Sequence, residues 1–92
     1  MADMIADDVF LHPKSHTDGT VTIGAGSSVW QFASVIRGAV LGSRCNVASS
    51  AIVDGAELGD GCLIGHGASV NPGFRAGRNV FIGPNVTICN DP

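Results

Sequence analysis

The run Leu58-Gly59-Asp60-Gly61-Cys62-Leu63-Ile64-Gly65-His66-Gly67-Ala68-Ser69-Val70 decides how this chain folds. An aliphatic residue returns every sixth position, at Leu58, Ile64 and Val70, with a small residue two places before it (Cys62, Ala68) and a glycine directly after the first two. Working outward in the same steps reaches equivalent positions throughout the chain: Leu11, Thr17, Ile23, Val29, Val35, Leu41, Val47 and Val53 on one side, Ala76, Ile82 and Ile88 on the other. One step, from Val53 to Leu58, is five residues long. The companion column two residues earlier (Val21, Ser27, Ala33, Ala39, Cys45, Ala51, Ala56, Cys62, Ala68, Phe74, Val80, Val86) holds no charge and is mostly small. A helix cannot use this beat, because six residues make about 1.7 helical turns and rotate the apolar face away. A short strand followed by a sharp turn can, since side chains two apart share one face of a strand. The expected fold is therefore all-β, a parallel β-helix in which three strands and eighteen residues complete one coil.

That period predicts about four and a half coils over 11–92, with residues 1–10 as an N-terminal cap through Ile5, Val9 and Phe10. One corner is expected to stack His12, Trp30, Ala48, Gly65 and Gly83, with Gln31 and His66 in the adjoining column. Arg37 and Gly55 fall on a second corner, and Gly24, Gly42, Gly59 and Gly77 on a third. Those glycines, and the Gly or Asn two places on, are expected to serve turns that need positive φ. The five-residue step is expected to remove a turn residue at Asp54-Gly55 and tighten that corner.

The 92 residues allow one domain. Five Lys+Arg against eight Asp+Glu give a net charge of −3, which makes no basic stripe and argues against nucleic acid as a partner. No stretch approaches the ~18 apolar residues of a spanning helix, and the acidic start Met1-Ala2-Asp3-Met4 does not read as a secretory signal. Three cysteines without metal spacing fit a reducing, cytoplasmic setting. Cys45 and Cys62 share an inward column and read as small apolar filler, and Cys89 lies on a turn with nothing near it to lower its pKa.

The repeats Ile23-Gly24-Ala25-Gly26-Ser27-Ser28 and Ile82-Gly83-Pro84-Asn85-Val86-Thr87 resemble the hexapeptide-repeat acyltransferase superfamily. That likeness implies a left-handed parallel β-helix assembled as a homotrimer. Three local motifs, His12-Pro13, Val29-Trp30-Gln31-Phe32, and Val80-Phe81-Ile82-Gly83-Pro84-Asn85-Val86 with Cys89-Asn90-Asp91-Pro92, resemble its bacterial sugar-nucleotide N-acetyltransferases. The implied donor is acetyl-CoA, the acceptor is a nucleotide-linked amino sugar for surface polysaccharide, and each site lies between neighbouring subunits. Asn90 is then the best single candidate, matching an Asn-Asp site motif with Asp91 beside it. Relatives with Asn-Asp-Pro at this point run on for several rungs that carry much of the coenzyme A groove. The chain therefore reads as a shortened member, with its C-terminal edge expected to be either frayed or paired, end to end, with another molecule.

Attack of an amine on a thioester needs a deprotonated amine, a polarised carbonyl and the two held about 3–3.5 Å apart. Asn90 is a donor or acceptor for those groups, and His66 is the imidazole suited by type to general base work. Gln31, Asp91 and Arg37 are candidate substrate contacts, and Arg75 and Arg78 candidate phosphate contacts for the donor. Trp30 and Phe32 read as subunit-interface filler. A non-catalytic trimeric scaffold is the alternative from another class. A three-histidine zinc site is disfavoured, because His12 and His16 open the coil and His66 lies about three rungs away.

Overall fold

The computed structural model describes residues 3–89. Fifteen strands of two or three residues fall into three parallel five-stranded sheets, and the described residues contain no helix. Sheet A holds β1 (Met4–Ile5), β4 (Thr22–Ile23), β7 (Val40–Leu41), β10 (Glu57–Leu58) and β13 (Arg75–Ala76). Sheet B holds β2 (Phe10–Leu11), β5 (Ser28–Val29), β8 (Asn46–Val47), β11 (Leu63–Ile64) and β14 (Phe81–Ile82). Sheet C holds β3 (His16–Thr17), β6 (Ser34–Ile36), β9 (Ile52–Asp54), β12 (Ser69–Val70) and β15 (Thr87–Ile88). Each strand pairs with the one three places on in the chain, so the backbone winds around a three-sided prism, the left-handed parallel β-helix expected.

The fifteen strands make five coils, in keeping with about four and a half over 11–92 and a further part-coil before them. Met4–Ile5 pairs in register with Thr22–Ile23, and Phe10–Leu11 with Ser28–Val29. The segment expected to cap the coil covers it by continuing it, because Ile5 and Leu11 occupy the same columns as Ile23 and Val29. The core is the stack of these columns: Val29, Val47 and Ile64 are almost wholly buried, as are the small residues Ala33, Ala51 and Ala68 that fill the gaps beside them. Burying each larger aliphatic contributes about 1.5–3 kcal/mol, an amount that no two-residue strand supplies through its backbone alone.

The glycine columns divide by physical cause. Positive φ belongs to the later column, as in Gly26, Gly61, Gly67, Asn79 and Asn85, and not to Gly24, Gly42, Gly59 and Gly77 as the turn argument expects. The earlier column answers to close approach between rungs. A Cβ on Gly59 would lie 2.7 Å from the backbone carbon and oxygen of Gly77, whereas a Cβ on Gly77 would meet nothing within 4 Å. Asp54-Gly55 is indeed the tightened corner: Asp54 extends β9 to pair with Ile36, and Gly55 turns at φ 63.

Gly59→Ala should therefore lower unfolding stability by about 1–3 kcal/mol through overpacking against backbone, and Gly77→Ala should leave it nearly unchanged. Urea denaturation of both variants checks this, and equal losses would contradict the close-approach explanation.

Candidate functional site

Three corners join the sheets, and strand register decides which side chains share each one. At the corner between sheets B and C, Pro13, Gln31, Ser49, His66 and Pro84 form one column. Gln31 and His66 are both exposed, on the second and fourth rungs. Two rungs separate them by roughly 9–10 Å along the stack. Aromatic groups collect towards the first rungs: the Phe10 and Trp30 rings are 5.0 Å apart, and Trp30 Nε1 donates to Asn46 Oδ1 at 2.9 Å. Phe32 stands 60% exposed at φ 61, with Lys14 Nζ 5.9 Å from its ring and its own N–H donating to the Lys14 carbonyl.

The corner between sheets C and A is polar. Asp18 Oδ1 accepts from the Thr20 hydroxyl at 2.6 Å and Oδ2 from the Arg37 N–H at 2.9 Å. These bonds, the hydroxyl foremost, hold the Asp18 carboxyl below its ordinary value of 3.8. Arg37, turned at φ 56, sends Nε to Asp54 Oδ1 at 2.9 Å. The Asp54 side chain is only 11% exposed while that of Arg37 is 71% exposed, so the guanidinium satisfies a buried carboxylate with one edge and shows the other to solvent. One rung further on, Asn71 Nδ2 donates to the Ile88 carbonyl at 2.7 Å. Cys89 is exposed at the same corner. Asn90 and Asp91 lie outside the described residues.

The third corner, between sheets A and B, carries Arg78, and its inward column carries the two buried cysteines. Cys45 and Cys62 thiols donate to the Gly59 and Gly77 carbonyls, each at 3.2 Å. Burial pushes the Cys45 thiol up, which favours the inert, core-filling role. Arg75 projects from sheet A, with Nη2 3.4 Å from Glu57 Oε1.

Within one chain, then, the sequence candidates do not gather. Gln31 and His66 share a corner, Arg37 occupies the next, and Arg75 and Arg78 sit on other sides. Among the described residues no three His, Cys, Asp or Glu side chains are grouped to hold a metal ion. Sequence reasoning missed Asp18 and Asp54 as partners of Arg37. The five-residue step was the available signal, because it sets Asp54 beside Arg37 with no turn residue to lift it away.

Arg37→Met removes the only charged partner that Asp54 has among the described residues and should cost about 1–2 kcal/mol of stability, measurable by thermal or urea unfolding. A thiol reagent should modify Cys89 in the folded protein at once, and Cys45 and Cys62 only after denaturation. Equal labelling of all three without denaturant would show that the buried pair is open.

Residues 55–90 match the family described as bacterial transferase hexapeptide (six repeats). A Methanocaldococcus jannaschii protein named "Probable carbonic anhydrase" is 38% identical over 92% of this chain and 58% of its own length. The acetyltransferase domain of PglB from Neisseria gonorrhoeae is 28% identical, with a TM-score of 0.52, over 97% of this chain and 50% of that one. A point mutant of the perosamine N-acetyltransferase of Caulobacter crescentus, solved with CoA and GDP-perosamine, shares the fold at 17% identity and a TM-score of 0.57, over 99% of this chain and 50% of that one. This chain thus spans between half and three fifths of these proteins. The repeat runs through all five coils by register as well as by sequence, so the fold is that of the hexapeptide-repeat β-helices whose family residues 55–90 match.

Proposed function

We propose that this chain is the β-helical part of a homotrimeric N-acetyltransferase that moves the acetyl group of acetyl-CoA to the amine of a nucleotide-linked amino sugar in the cytoplasm. The observation that carries the reading is the 28% identity to a bacterial acetyltransferase domain across nearly the whole chain. The transfer needs little from the protein beyond position, polarity and one proton acceptor. In this reading His66, exposed on a rigid corner, takes the proton from the attacking amine and returns it to the departing thiolate of coenzyme A. The Asn90 amide binds the amine or the developing oxyanion, and Asp91, Gln31 and Arg37 hold the sugar nucleotide. Arg75 and Arg78 are exposed cations suited to donor phosphates.

The archaeal relative favours a second reading, a zinc enzyme hydrating carbon dioxide. A catalytic zinc of that kind takes three protein ligands, commonly histidines at about 2.0–2.1 Å. His12 and His16 lie on the first rung and His66 on the fourth, roughly 14 Å apart along the stack. Rotation about an axis parallel to the coil leaves that height difference unchanged. The histidines of this chain do not fit a three-histidine zinc site, and no step is derived through the metal.

Titration calorimetry with acetyl-CoA tests the proposal. Binding is expected, weakened by Asn90→Ala, and His66→Asn should keep binding while slowing acetyl transfer to an amino-sugar nucleotide by about 10²-fold or more. Absence of binding at millimolar donor overturns the reading and leaves a non-catalytic trimeric scaffold.

A further inference from the structure

β1, β2 and β3 are the outer strands of the three sheets on the first rung, and β13, β14 and β15 on the fifth. On the fifth rung the N–H and C=O groups of Arg75, Phe81 and Thr87 stand where those of Glu57, Leu63 and Ser69 bond the rung above, and nothing among the described residues meets them. Such edges are templates for another chain unless a helix or loop covers them, and the described residues contain no helix to do so. We propose that the fifth rung of one copy docks on the first rung of another, head to tail and in register, so that the β-helix continues across the junction into a filament. This contact is independent of the proposed activity, and the unit that stacks is one chain or three alike.

Register supplies the first argument. One further step of roughly 4.8 Å sets Ile5, Leu11 and Thr17 of the next copy over Ala76, Ile82 and Ile88, the columns they already share within one chain. Glu57, Leu63 and Ser69 donate to the carbonyls of Phe74, Val80 and Val86 one rung up. By the same pattern Arg75, Phe81 and Thr87 donate to the carbonyls of Asp3, Val9 and Ser15 of the next copy. The glycine column points the same way. A Cβ on Gly24 would lie 2.6 Å from the Gly42 backbone carbon, and one on Gly59 2.7 Å from that of Gly77, because the backbone of the next rung passes there. Gly77 keeps this shape although a Cβ on it would meet nothing within 4 Å, so the fifth rung is formed to receive a backbone at rung spacing.

Charge sets the direction. The first rung carries Asp3, Asp7, Asp8 and Asp18 against Lys14, whereas the described part of the fifth carries Arg75 and Arg78 and no carboxylate. Three of the four carboxylates bond within their own chain: Asp3 to the Thr17 hydroxyl and the Val21 N–H, Asp8 to the Gly26 N–H, and Asp18 to Thr20 and Arg37. Asp7 and Arg78 are both exposed, and neither enters an ion pair among the described residues. They belong to one column, with Ala25, Ser43 and Asp60 between them, so head-to-tail stacking sets Asp7 of the next copy directly over Arg78. Two fifth rungs meeting face to face oppose Arg75 and Arg78 to their own copies, and two first rungs oppose Asp7 and Asp8 to theirs. Only the heterologous contact pairs unlike charge, and a coaxial contact of that kind does not close into a ring.

Sedimentation velocity on the 92-residue chain tests the contact. Its mean mass should grow at least about twofold over a tenfold rise in concentration at low salt, and fall back at high salt. Arg78→Asp alone and Asp7→Arg alone should each abolish growth, and an equal mixture of the two variants should restore it, since every contact between unlike variants again pairs opposite charge. Gly77→Ala, expected to unfold in urea as the wild type does, should also abolish growth, because its methyl group stands where the next backbone must lie. A mass that stays constant up to millimolar concentration overturns the proposal, as does growth that survives both Arg78→Asp and Gly77→Ala. Growth that stops at a pair of units overturns the head-to-tail direction.

Discussion

Parallel strands in register, roughly 4.8 Å apart, are the constraint from which everything else in this molecule follows. Each coil lends its backbone N–H and C=O groups to the coils above and below, so a two-residue strand that would be unstable alone becomes one step in a five-strand ladder. The same spacing dictates side-chain size. Aliphatic residues at every sixth position fill the interior, small residues occupy the companion column, and where backbones of adjacent corners nearly touch only a hydrogen in place of Cβ is accommodated.

Regular stacking also turns a single change of spacing into local chemistry. Dropping one residue between Val53 and Leu58 draws the chain inward at one corner, and the carboxylate of Asp54 is carried to Arg37 as a result. The corner becomes a short chain of charge and hydrogen bond from Asp18 through Arg37 to Asp54, with the backbone of Arg37 held in the left-handed region at its centre. Across sheet C, the aromatic corner of Phe10, Trp30 and Phe32 is held by a ring contact, an indole hydrogen bond to Asn46 and a ladder bond to Lys14. A polar corner and an aromatic corner thus flank sheet C on one three-sided prism.

What the residue order determined by itself was the winding. Six-residue periodicity excludes a helix and demands short strands with turns, and the columns built from it agree with the register at Leu11, Val29, Val47, Ile64 and Ile82. The candidate residues were legible one by one, because type and turn position mark His66, Gln31 and Arg37 as exposed polar groups. Tertiary structure decided what they stand beside. The cap became a coil because Ile5 finds Ile23, the glycine columns parted into those that turn and those that must not clash, and of the described candidates Gln31 and His66 proved to share a corner while Arg37, Arg75 and Arg78 lie elsewhere. The reason is dimensional: a sequence period states which residues share a column, whereas neighbours across a corner, and distances between corners, depend on how the columns close around the axis.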